Sequence, residues 1–170
     1  MEISVKIVNC KVNHLENPLG YYMDHTVFSW MVEESSGKRQ AGARIQVWSN
    51  GAVAADTGWA HLDSLAAMVE IKLCPRTRYL WKVSVRTDAG DEAQSEENWF
   101  ETGKMEEPWQ AEWIGCDDSE TRHPVFSKEI CPGGDVVSAR LYICGLGLYE
   151  ACWNGEKIGG EYLAPYCNNY

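Results

Sequence analysis

A chain of 170 residues, 45% of them hydrophobic, has room for one ordinary domain or two small ones and enough apolar material for a core. Fifteen Lys and Arg against 25 Asp and Glu leave a formal charge of −10, which repels polyanions and excludes nucleic acid and anionic membrane as expected partners. No apolar run reaches the roughly 18 residues of a spanning helix, and the opening MEISVKIVNCKV alternates like a strand and lacks the apolar stretch of a signal peptide, so a cytoplasmic location is expected.

In chain order, Ile3–Val12 alternates with Ile3, Val5 and Ile7 on one face, and Val27–Val32 is a short apolar run. Arg44–Trp48 follows, with Ile45 and Val47 sharing a face. Each run is bounded by breakers: Asn17-Pro18-Leu19-Gly20, Ser35-Ser36-Gly37, Ser49-Asn50-Gly51, Asp88-Ala89-Gly90 and Pro132-Gly133-Gly134. The single helical candidate is the short stretch His61–Met68. Tyr79, Trp81, Val83 and Val85 then alternate in a strand, and Asn98–Gly103 supplies another. Short strands separated by turn signals, with no long helical pattern between them, predict an all-β sandwich rather than an α/β fold.

Leu73-Cys74-Pro75-Arg76-Thr77-Arg78-Tyr79 carries the spacing L-x-P-x-x-x-Y ahead of an alternating strand. It resembles the corner of fibronectin type III domains where a tyrosine hydroxyl bonds back to the upstream backbone. The resemblance implies a fibronectin type III-like or immunoglobulin-like sandwich over residues 1–103, with Trp30 in the core against Trp81 or Tyr79. Lys104–Pro108 is charged, contains proline and lacks apolar periodicity, so residues 104–108 read as a linker.

Residues 109–170 open with Trp109-Gln110-Ala111-Glu112-Trp113-Ile114-Gly115 and continue through two strand candidates, Pro124–Ile130 and Val137–Ile143. Then Ala139–Gly160 reads as a β-hairpin, because Asn154-Gly155 between apolar runs suits a type I′ turn, whose two central residues need positive φ. The string G-L-G-L-Y-E-A-C-W-N-G-E-K-I-G, with W-I-G upstream and L-A-P downstream, resembles the N-terminal β-sandwich region of bacterial α-L-rhamnosidases. What the resemblance implies is a non-catalytic accessory region of such a glycoside hydrolase, ending in a partial, jelly-roll-like second sandwich. The catalytic glutamates of that family lie in a separate (α/α)6 barrel, the missing partner, so this chain by itself is expected to be inactive.

The residues agree that no catalytic site is to be sought here. Acids cluster in turns as Glu33-Glu34, Asp91-Glu92, Glu96-Glu97, Glu106-Glu107 and Asp117-Asp118, and neighbours on a strand point to opposite faces and cannot converge on one bond. Glu150, on the face shared by Leu148 and Cys152, is solvated or paired, with Arg140 as the candidate partner. Seven cysteines form an odd set with no C-x-x-C pair, which favours reduced thiols, and neither a metal nor a cofactor is expected. Two further readings stay open: a carbohydrate-binding module, taking a rhamnose-containing glycan, and a generic interaction domain. Of the eight Trp and eight Tyr, Trp30, Trp48, Tyr79, Trp81, Trp99 and Trp153 read as core. Trp59, Tyr162, Tyr166 and Tyr170 are left as the sugar-stacking candidates. A partial sandwich would expose strand edges, so homo-oligomerisation is expected.

Overall fold

The computed structural model describes residues 5–117, 123–160, 162 and 164, and every regular element among them is a strand. Nine belong to the first of two compact units, Met1–Ile114: β1 (Lys6–Val12), β2 (Leu19–Tyr21), β3 (Thr26–Glu33), β4 (Gln40–Ser49), β5 (Ala52–Asp56), β6 (Ala67–Val69), β7 (Arg78–Thr87), β8 (Glu92–Gln94) and β9 (Asn98–Thr102). Two more, β10 (Cys152–Trp153) and β11 (Glu156–Lys157), lie in the second, Gly115–Tyr170.

The first unit is a sandwich. One sheet runs β1-β3-β6 and the other β2-β9-β7-β4-β5, with β8 added beside β7. All pairs are antiparallel except β2 on β9. Alternation makes the core: Ala43, Ile45 and Val47 of β4 and Tyr79, Trp81, Val83 and Val85 of β7 all point inward and are buried. From the opposite sheet Phe28 meets Trp81 edge-on with centroids 4.8 Å apart and approaches Phe100 at 6.3 Å. Trp30 is buried beside them, and its indole nitrogen donates to Gln40 Oε1 at 3.0 Å.

The tyrosine corner is formed. The backbone N–H of Cys74 donates to the Tyr79 hydroxyl at 2.8 Å, while the Tyr79 ring stacks on Phe100 at 4.9 Å. Burial pushes the phenol above its ordinary pKa. Next to it Thr102 donates its hydroxyl to the Cys74 carbonyl at 2.6 Å and accepts from the Thr77 N–H at 3.0 Å. Where β9 ends, Gly103 passes so close to β2 that a Cβ there would strike the Gly20 carbonyl oxygen.

Within the expected linker 104–108, Glu106 and Glu107 are fastened to the end of this sandwich. Arg76 grips Glu107 with Nε at 2.7 Å and Nη2 at 3.0 Å, and the Tyr22 hydroxyl donates to Glu106 at 2.6 Å. The Nη2–Oε1 hydrogen bond orients the pair, and the close Nε–Oε2 approach adds charge attraction.

His61–Met68 is not a helix. The Asp63 carboxylate accepts the Leu65 N–H at 2.9 Å, an Asx turn that redirects the chain, and Ala67–Val69 then pairs with β3. The sheet's hydrogen bonds outweigh a weak helical propensity over so few residues.

In the second unit Asn154 and Gly155 adopt φ of 50° and 86°, the two positive values of a type I′ turn, and β10 pairs with β11 through Cys152–Lys157 and Trp153–Glu156. The ladder stops there. Pro124–Ile130 and Val137–Ile143, both strand candidates by alternation, belong to no sheet among the described residues. Their apolar side chains stay exposed, Val125 at 92% and Val137 at 98%. Glu150 faces Lys157 at 3.3 Å.

Candidate binding site

Trp59 sits in the turn after β5, which Gly58 makes possible with φ of 62°. Its ring lies against the outer face of the larger sheet, with the Arg86 guanidinium 3.9 Å from the ring centroid. One face of Trp59 is therefore already covered by a cation. Tyr162, in the second unit, is exposed and carries the Lys157 ammonium 3.8 Å from its ring centre. Tyr166 and Tyr170 lie outside the described residues. Trp59 and Tyr162 belong to different units, so neither unit brings two of these aromatic candidates together among the described residues.

The expected core positions need three corrections. Trp48 and Trp99 are only half-buried, and Trp153 is exposed. The reason is the period of two. If Ile45 and Val47 face the core, Trp48 faces away, and if Phe100 is buried, Trp99 is not. Cross-strand pairing lines them up, since Trp48 is opposite Val53 on one side and Leu80 on the other, and Leu80 is opposite Trp99. The outer face thus carries a row Val53, Trp48, Leu80, Trp99, one residue deep. Arg78 packs 4.2 Å over the Trp99 ring and bonds Glu101 at 2.9 Å.

At Trp48 this row dips into a depression of about 280 Å³, walled by Leu80, Lys82, Glu97 and the Asn50-Gly51 turn. The Lys82 ammonium and the Glu97 carboxylate stand 3.9 Å apart across it. Ser49 also lines it, and its hydroxyl is buried with no hydrogen-bond partner among the described residues. A smaller depression of about 140 Å³ in the second unit is bordered by Leu141, Ile143, Glu150 and Lys157.

Elsewhere the first unit's carboxylates hold structure. Asp56 takes Arg44 through Nε at 2.8 Å and also accepts from the Gly58 N–H at 2.9 Å, and the Arg44 guanidinium, aided by that N–H, holds its pKa well below the usual carboxylate range. Asp91 accepts the Ser36 hydroxyl at 2.6 Å, and Asp88 accepts the Lys38 N–H at 2.8 Å, together pinning the 35–39 loop. No group of three metal-ligating side chains occurs among the described residues.

Residues 7–106 match the family described as the Rha78A-like N-terminal immunoglobulin domain, and residues 134–170 match the α-L-rhamnosidase N-terminal domain. An α-L-rhamnosidase of Formosa agariphila is 29% identical over 209 residues, covering 100% of this chain and 22% of its own length. One from Streptomyces avermitilis is 31% identical, covering 71% of this chain and 13% of its own. Among solved structures, the Streptomyces avermitilis α-L-rhamnosidase complexed with L-rhamnose superposes with a TM-score of 0.60 at 30% identity, over 66% of this chain and 12% of that one. The α-L-rhamnosidase from Dictyoglumus thermophilum gives 0.59 at 31% identity, over 66% and 14%. This chain therefore spans about a fifth or less of the relatives it matches. With a formed tyrosine corner, an immunoglobulin-like sandwich and a family match over residues 7–106, the chain belongs to the α-L-rhamnosidase family, as its N-terminal immunoglobulin-like domain followed by sequence of the rhamnosidase N-terminal domain.

Proposed function

We propose that this chain serves as the non-catalytic accessory region of an α-L-rhamnosidase, whose remaining polypeptide hydrolyses terminal α-L-rhamnosyl residues. The observation that carries the reading is how the acids are used. Inverting glycoside hydrolysis needs two carboxyls roughly 6.5–9.5 Å apart across the scissile bond, one kept protonated by its surroundings. In the first unit Asp56, Glu92, Glu101 and Glu107 are each tied to an arginine, an arrangement that fixes these carboxylates in place on the sandwich rather than across a cleft. The test is hydrolysis of an aryl α-L-rhamnoside by the 170-residue chain. No turnover above the buffer rate is expected, and turnover that survives repurification overturns the reading.

The second unit favours association as part of that role. Val125, Val137 and Leu146 are at least 90% exposed, in segments whose alternation suits strands, and exposed apolar side chains on such segments favour pairing with further strands. We read this region as pairing with further sandwich strands, in a second copy when the chain is alone. Sedimentation that shifts with protein concentration is the expected result; a strict monomer with slow amide exchange at Leu141, Ile143 and Trp153 counts against it.

A further inference from the structure

We infer that the depression at Trp48, on the outer face of the first unit, is a binding site for a single neutral pyranose ring. The accessory-region reading guides only the choice of sugar, a terminal L-rhamnosyl group.

Charge selects the class of ligand. Lys82 and Glu97 face each other at 3.9 Å, too far for a good hydrogen bond, so the local charge cancels while the ammonium protons and carboxylate oxygens keep bonding capacity. A phosphate or carboxylate ligand gains little from such a pair. A hydroxyl-rich neutral molecule can accept from Lys82 and donate to Glu97 at once. Trp48 and Leu80 contribute the apolar lining, and an indole is the side chain best suited to the C–H face of a sugar.

Size and shape narrow it further. About 280 Å³ falls just below the roughly 300–1,000 Å³ of drug-sized ligand pockets, and so suits one ring. A protein partner fits poorly, since a stable interface covers roughly 800 Å² on each side. Here the apolar row is one residue deep, bounded by Gln46, Lys82 and Asp56 on one side and by the Arg78–Glu101 pair on the other. The site is also rigid. Trp48 is laddered to β5 and β7 on both sides, and the adjoining Asn50-Gly51 turn is locked with φ of 50° and 76°. Preorganisation lowers the ordering cost of binding.

The experiment titrates methyl α-L-rhamnopyranoside into the 170-residue chain, following the indole N–H resonances of each tryptophan, with glycerol as the control. A saturable shift centred on Trp48, absent with glycerol, is expected. Trp48→Ala should weaken binding at least tenfold while the cooperative unfolding transition persists, Glu97→Gln should weaken it severalfold, and Trp59→Ala should leave it unchanged. If Trp48→Ala does not fold, Leu80→Ser takes its place. Absence of saturation, or saturation that Trp48→Ala leaves intact, overturns the proposal. So does self-association that is lost in Trp48→Ala and indifferent to the sugar, which would give the face to a second copy. None of these outcomes bears on the turnover assay, so the two readings fail separately.

Discussion

Two Asn-Gly turns in this molecule have nearly the same backbone and different consequences. Asn50-Gly51 turns β4 into β5 with φ of 50° and 76°, and Asn154-Gly155 turns β10 into β11 with 50° and 86°. The first hairpin runs through four cross-strand pairs, back to Gln46–Asp56, whereas the second ends after two. The turn chemistry is equal, so the difference lies beyond the turn. β4 has β7 along its other edge and an opposing sheet over Ile45 and Val47, while β10 has neither among the described residues. A turn sets register; length and stability come from neighbours that bury the strand.

That contrast can be pressed with paired substitutions at tryptophan. Trp81 is 1% exposed and packs on Phe28, so Trp81→Ala should cost about 3–5 kcal/mol in urea unfolding. Trp153, at 54% exposure, should change the main transition by less than about 0.5 kcal/mol on the same substitution. Equal losses would show that the second unit possesses a core that the sandwich comparison misses.

A finer cut is made at the tyrosine corner. Tyr79→Phe keeps the ring stacked on Phe100 but leaves the Cys74 N–H without its acceptor, and should cost about 1–3 kcal/mol of stability, measured by the same unfolding curves. A neutral result would mean that ring packing alone makes the corner.

The smallest effect comes from charge at the first hairpin. Asp56 has a folded pKa below that of the unfolded chain, about 3.9 for aspartate, so its pairing with Arg44 stabilises above roughly pH 4 and is lost as the pH falls toward the lower folded value. Because both partners are partly exposed, solvent screens the pair and its contribution at pH 7 is small. Thermal melts of Arg44→Met against the parent should differ at pH 7 and converge below pH 4, and a gap that widens on acidification would contradict the assigned sign.

Much of the first unit was legible residue by residue. L-x-P-x-x-x-Y foretold the hydroxyl-to-backbone bond of Tyr79 and alternation foretold the inward rows of β4 and β7; in the second unit Asn154-Gly155 foretold a positive-φ turn. The two tryptophan errors in the first unit share an origin. Reading every tryptophan on an alternating strand as core ignored that alternation itself sends Trp48 to the face opposite Val47 and Trp99 to the face opposite Phe100. The candidate site was therefore hidden in a pattern already noticed. His61–Met68 was misread for another reason: eight residues carry too little propensity to resist an Asx turn and a waiting strand edge.

What the sequence determined by itself is local: which turns form, which side chains share a face, and the motifs that place the chain among α-L-rhamnosidases. These follow from φ preferences and from the two-residue period of an extended backbone, which need no distant partner. Only the tertiary structure decided which face of β4, β7 and β9 is inside, which strand candidates become strands, and that Lys82, Glu97 and Trp48 meet around one depression. Those outcomes depend on hydrogen bonds and burial between segments tens of residues apart, and no spacing along the chain encodes them directly.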